Sequence, residues 1–128
     1  MMRCRGIRGA TTVERNTAED IEEATLELLG AIVDANDIDL DDIASAIFTT
    51  SPDLNATFPA VAARKFGWGS IALMCTHEMG VPGALENAIR VLVHYNTEKS
   101  ATEIRHVYLR RAVVLRPEWA YQAAEAVK

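Results

Sequence analysis

Residues 75–90, C-T-H-E-M-G-V-P-G-A-L-E-N-A-I-R, gather a thiol (Cys75), an imidazole (His77) and a carboxylate (Glu78), and they end on a guanidinium (Arg90). Apolar runs flank the stretch at 71–74 and 89–93, and Gly80, Pro82 and Gly83 break the chain between them. Polar groups at the ends of buried strands need partners, because burying them unpaired costs free energy. Convergent sets of this kind line ligand sites. A solvated surface loop is the competing reading. Residues two apart on an extended segment share a face, so Cys75 and His77 also admit a thiol nucleophile, although no clear partner orients the histidine. His77, His94 and His106 lack metal-ligand spacing, and no glycine-rich phosphate loop is present. The wider set at strand ends is Arg8, Arg64, Cys75, Glu78, Arg90, Tyr108 and Arg116. It is rich in hydrogen-bond donors and permanent positive charge, with one carboxylate. Such a set suits a small anion and can stabilise developing negative charge without covalent chemistry.

The chain that must position these groups has 128 residues, which allows one domain and no second core. Hydrophobic residues make up 49% and charged residues 24%, the balance of a globular protein. No apolar run reaches the roughly 18 residues a membrane span needs, and the basic start M-M-R-C-R leads into no signal-type segment, so the chain reads as cytoplasmic. Cys4 and Cys75 are too few for a disulfide framework or a cysteine-based zinc site. Net charge is −5 and no Lys/Arg block runs along any segment, which argues against broad nucleic-acid binding. Ten arginines stand against three lysines. Arginine's rigid fork matches a carboxylate or phosphate bidentately, although codon bias would give the same ratio.

The elements follow from pattern. Residues 3–13 read as a strand, with Gly6 and Gly9 allowing close backbone approach on either side of Arg8. Thr17 is placed to cap a long helix ending near Asn36, with Ile21, Ala24, Leu28, Ala31, Ile32 and Ala35 as one apolar stripe. Residues 43–50 predict a second strand feeding the loop S-P-D-L-N-A-T-F-P-A. There Pro59 begins a short helix, capped by Thr57, that carries Arg64 and runs to about Phe66. Residues 70–75 predict a third strand with Leu73 and Cys75 on one face and Met74 on the other. Residues 85–97 predict a fourth, in which Arg90, Leu92 and His94 point one way, and residues 104–115 a fifth, stopped by Pro117. The expected fold is α/β (α+β): a small sheet of about five strands with one long and one short helix. Residues 1–117 form the domain, and 118–128 an Ala-rich tail, helical or mobile.

The motifs R-G-I-R-G-A-T-T-V-E (5–14), S-P-D-L-x-A-x-F-P-A (51–60), C-x-x-E-M (75–79), I-R-V (89–91) and R-H-V-Y-L…V-V-L-R-P (105–117) resemble the monofunctional chorismate mutases of the AroH class, in order and nearly in spacing. That resemblance implies the intramolecular Claisen rearrangement of chorismate to prephenate, on the route to phenylalanine and tyrosine, with no cofactor, metal or covalent intermediate. It also implies a small mixed β-sheet α/β subunit in a homotrimer whose sheets form a barrel-like core, with helices outside and active sites between subunits. By motif, Arg8 binds a substrate carboxylate, and Arg90 approaches the ether oxygen and touches a carboxylate. Glu78 and the Cys75 region hold the ring hydroxyl, Met74 is a further substrate-binding residue, and Tyr108 contacts the enolpyruvyl carboxylate. Phe58, Ala60, Leu73 and Leu115 shape the apolar wall. Arg64 and Arg116 close the site, from a neighbouring subunit's loop and from the C-terminal end. Some members carry lysine directly after F-P-A; here the position is Val61, which shifts weight onto Arg64. The alternatives are a non-catalytic trimer that binds an aromatic-pathway metabolite, and a different small-molecule enzyme on the same scaffold.

Overall fold

The computed structural model describes residues 1–121. Thr17 does open a helix: its hydroxyl accepts the Asp20 N–H at 3.1 Å, and α1 runs Ala18–Asn36. Asp37, left-handed at φ 51°, ends it by donating its N–H to the Val33 carbonyl. The apolar stripe is buried from Ile21 through Ile32, joined by Leu29, each Leu or Ile contributing roughly 1.5–3 kcal/mol. It lies on a five-stranded sheet of order β3-β2-β4-β1-β5, made of β1 (Arg3–Thr12), β2 (Ile43–Thr50), β3 (Ala72–His77), β4 (Ala88–Thr97) and β5 (Val107–Tyr108). Pairs β1/β4 and β2/β4 are antiparallel; β2/β3 and β1/β5 are parallel. This is the sheet of five strands that the pattern predicts, mixed as the resemblance implies. Gly9 explains how close α1 comes: a Cβ there would sit 2.7 Å from Ile32 Cδ1 and 3.2 Å from Leu28 Cδ1.

Several boundaries differ from expectation. The third strand begins two residues late, because the Ile71 N–H is used in a turn to the Trp68 carbonyl, and it extends through His77, which pairs with Thr50. The fourth begins at Ala88 instead of residue 85. Asn87 is left-handed (φ 53°), and its N–H goes to the Asp53 carboxylate (2.8 Å) and that of Ala88 to the Ser51 hydroxyl (2.9 Å). Thr57 is not the cap of the short helix α2 (Pro59–Ala63): Phe58 takes that place with no side-chain cap bond, and Pro59 stands at the first turn as expected. The chain then widens into a π-helical turn, Arg64–Trp68, that ends through Gly67 at φ 108°.

The largest departure is the fifth strand. Only Val107–Tyr108 pair with β1, and Arg110–Leu115 wind into a 3-10 helix. Arg110 is left-handed (φ 52°) and reaches back to Glu27 (3.1 Å) and the Thr12 carbonyl (3.2 Å), while the Arg111 N–H goes to the Thr12 hydroxyl. Beyond Pro117, Trp119 to Tyr121 return to the sheet. Ala120 bridges to Tyr108, the Tyr121 N–H donates to the Tyr108 carbonyl (3.1 Å), and the Tyr121 hydroxyl meets Asp34 (2.7 Å). The expected helical or mobile character of the tail past Tyr121 lies outside the described residues. Among those described, no helix is long and apolar enough to cross a membrane.

Candidate active site

Pairing register decides which side chains meet. Arg8 and Ala10 of β1, Arg90, Leu92 and His94 of β4, Ile47 and Thr49 of β2, and Met74 and Thr76 of β3 share the face turned away from α1. One row across that face reads Tyr108, Ala10, Arg90, Thr49, Thr76. At about 4.8 Å per strand, the Tyr108 and Arg90 backbones lie roughly 10 Å apart. Arg8, opposite Leu92, is diagonal to Arg90, about 7–8 Å away between Cα atoms. The alternation predicted for Arg90, Leu92 and His94 is therefore present, and it sets two guanidinium groups on one surface.

Arg90 is braced. Its Nη1 donates to Glu78 Oε2 at 2.9 Å, with the two side chains 20% and 37% exposed. A guanidinium this far out of water needs such a partner. Glu78 is itself anchored, since its N–H donates to the Thr50 carbonyl at 2.7 Å and so prolongs the β2/β3 ladder past His77. The loop bonds of Ser51 and Asp53 to Ala88 and Asn87 tie the end of β2 to the start of β4, and hence Glu78 to Arg90. A cleft of about 280 Å³ beside the pair is lined by Asp53, Glu78, Met79, Leu85 and Arg90. Tyr108 is buried against Ala10 and Ala112, with Leu85, Leu115 and Trp119 packed around them. The Thr49 hydroxyl, next to Arg90 in the row, is buried with no hydrogen-bond partner among the described residues.

A second set of predicted residues lies elsewhere. Leu73 and Cys75 point to the opposite face, where Cys75 stands in register with Phe48 and Val91. Burial raises the Cys75 thiol above its ordinary pKa, with a backbone hydrogen bond at Ala60 and the Arg64 charge pulling the other way. Cys75 is thus a neutral thiol at neutral pH, and His77 is turned to the Thr50 hydroxyl (Nδ1, 3.1 Å), so the nucleophile reading fails on both members. Phe58 projects from the start of α2 at 66% exposed, and Ala60 is buried beneath it. Together with Thr50, Leu54, Pro59 and His77, Phe58 and Cys75 line a second cleft of about 420 Å³. Arg64, at the far end of α2, is exposed. Among the described residues, no hydrogen bond or ion pair joins this set to Arg8, Glu78, Arg90, Tyr108, Leu115 or Arg116. Met74 sits between them, on the Arg90 face but at the sheet edge and 63% exposed.

Arg116, on the C-terminal side, has Nε 3.2 Å from Glu118 and its guanidinium carbon 3.6 Å from the Trp119 ring centroid. His106 accepts the Arg8 N–H on Nδ1 (2.9 Å) and packs on Trp119. Neither His106 nor Trp119 stood out as a site residue in the sequence; the spacing Arg116-x-x-Trp119 is the signal that could have raised them. No group of three or more His, Cys, Asp or Glu converges on a metal-sized site among the described residues.

Comparison with known proteins identifies the family. The family described as "Chorismate mutase type I" matches residues 4–119. The chorismate mutase AroH of Thermus thermophilus is 49% identical over 115 residues, 89% of this chain and 94% of that protein. The chorismate mutase AroH of Bacillus subtilis (strain 168) is 45% identical over 118 residues, 91% of this chain and 93% of that one. A solved chorismate mutase from Clostridium thermocellum superposes with a TM-score of 0.84 at 53% identity, covering 86% of this chain and 98% of the other. With a family match spanning nearly the whole described fold and relatives 45–49% identical over most of their length, this chain belongs to the type I chorismate mutase family.

Proposed function

We propose that the chain is an isomerase that converts chorismate to prephenate, working as a cytoplasmic homotrimer with its sites between subunits. The observation that carries the reading is the Arg90–Glu78 pair, half-buried on a rigid central strand beside Arg8, in a chain of this family. In the Claisen rearrangement the C–O bond breaks ahead of C–C bond formation, so negative charge gathers on the ether oxygen. A preorganised guanidinium in a dry cleft lowers that barrier by about 3–4 kcal/mol, the scale of one oxyanion donor. Arg90 takes this role. Arg8, Tyr108 and Arg116 grip the carboxylates and Glu78 the ring hydroxyl, selecting the compact conformer that reacts. No proton moves, so no general acid or base is needed.

The shared site rests on a division within one chain. Phe58, Ala60, Arg64, Leu73 and Cys75 lie away from the Arg90 face, at the end of the sheet where β3 is the edge strand. The apolar side chains Phe58 (66%), Met74 (63%), Met79 (78%) and Val81 (56%) are left exposed around that edge, the mark of a surface that meets a partner. Trimer formation brings this edge of one subunit over the Arg90 face of the next, with the face opposite α1 turned into a barrel-like core. The test is the ultraviolet decay of chorismate with purified protein, the product identified as prephenate. Rapid, saturable conversion without added metal or cofactor is the expected result. No conversion alongside tight chorismate binding would instead leave a metabolite-binding protein.

A further inference from the structure

Trp119 is contacted on several sides by groups that matter to the site. The Arg116 guanidinium carbon lies 3.6 Å from its ring centroid, the His106 ring 4.0 Å away at 41°, and the Tyr108 ring 5.6 Å away at 63°. The backbone holds it there, since the Trp119 N–H donates to the Arg116 carbonyl (2.9 Å), Ala120 bridges to Tyr108, and the Tyr121 N–H reaches the Tyr108 carbonyl. His106 in turn receives the Arg8 N–H on Nδ1. One indole thus connects the strand that carries Arg8, the buried Tyr108 and the otherwise exposed Arg116.

Arg116 has no strand neighbours to brace it, and a long exposed side chain loses substantial rotamer freedom when it must hold one position. Stacking on an aromatic face orients the guanidinium plane while leaving its in-plane N–H donors available. Only Nε is taken up, by Glu118, which leaves the terminal nitrogens of the fork for a carboxylate. We propose that Trp119 is a positioning residue: it holds Arg116 in a substrate-ready orientation and locks the C-terminal segment against Tyr108 and His106. The proposal rests on the reading of Arg116 as a carboxylate-binding group. It adds that the C-terminal arginine is preorganised by the chain's own aromatic, not recruited from solution when substrate arrives.

Trp119→Ala, Trp119→Phe, Arg116→Ala and the Trp119→Ala/Arg116→Ala double variant test this. Trp119→Ala is expected to raise KM for chorismate by about 3- to 30-fold, the range of a cation–π contact, with kcat within about twofold. Trp119→Phe, which keeps an aromatic face, should recover most of the loss. In the Arg116→Ala background the same Trp119→Ala change should add less than about twofold, because its effect runs through Arg116. Equal losses in both backgrounds would show that Trp119 only supports the fold and would overturn the proposal. Acrylamide quenching supplies a readout independent of turnover. Trp68 is 2% exposed, so quenching reports Trp119. Arg116→Ala should uncover the indole and raise quenching; unchanged quenching would dismiss the stack even if the enzyme is active. If the wild-type chain leaves chorismate unaltered, the reading of the site fails, and quenching still decides whether Arg116 rides on Trp119.

Discussion

Arg90 and Arg64 carry the same charge and are built in opposite ways. Arg90 lies on β4, hydrogen-bonded to strands on both sides, 20% exposed and paired to Glu78. Arg64 sits where α2 widens into a π-helical turn, exposed, with the αL Gly67 three residues on. A group that must meet charge as it develops has to be in place beforehand, because reorganising it during the reaction would cost what it contributes. A group that helps capture a dianion can be mobile and solvated. Under the proposed mechanism the contrast gives Arg90 the chemical step and Arg64 binding. It also marks the two halves of the proposed shared site.

Substitutions should divide along this line. Arg90→Ala is expected to lower kcat by about 10²–10³-fold, the scale of one lost oxyanion donor, while circular dichroism and thermal unfolding report an intact fold. A wild-type-like rate would defeat the charge-stabilisation mechanism. Arg64→Ala should cost less, about tenfold, and mostly as KM in initial-rate kinetics. A loss confined to kcat would erase the contrast. Weaker still is the effect expected at His106, which supports the Arg90 side through the Arg8 N–H. Burial holds its pKa below the ordinary value, with the Arg8 and Arg116 charges acting the same way. The depressed folded value means that the unfolded chain binds the proton more readily. Stability is therefore complete above about pH 6.5 and is lost as pH falls through the depressed pKa. Thermal midpoints between pH 7.5 and 5 should fall more steeply for wild type than for His106→Asn; parallel curves would remove the histidine from the account. Cys75→Ala should do least, about two- to fivefold in kcat/KM, because the thiol is neutral and offers only a weak hydrogen bond.

How far the sequence reaches depends on which physical signal each element carries. The cap at Thr17 and the stripe on α1 are local and periodic, and the structure reproduces both. The alternation of β4 places Arg90 on the partly exposed face for the same reason. Residues 109–115 show the limit. Their apolar, β-branched composition predicts a strand, yet Arg110 turns left-handed to reach Glu27 and the Thr12 carbonyl, contacts from 83 and 98 residues away. The separation of Cys75 from Arg90 is equally hidden. Whether Cys75 and Arg90 share a face depends on pairing register through β2, and a shift of one residue would reverse the answer. The motifs named both residues; only the register separates them.

In the proposed trimer each site takes its Arg90 face from one subunit and its Arg64 edge from another. Unfolding and refolding an equimolar mixture of Arg90→Ala and Arg64→Ala chains tests it most directly. Random assembly leaves one intact site in every mixed trimer, so at substrate well below KM the mixture should recover about a quarter of wild-type activity, against about a twentieth for the average of its two parents. A mixture no more active than the average of its two parents, with mixed trimers confirmed by mass, would contradict the account and return the whole site to a single chain.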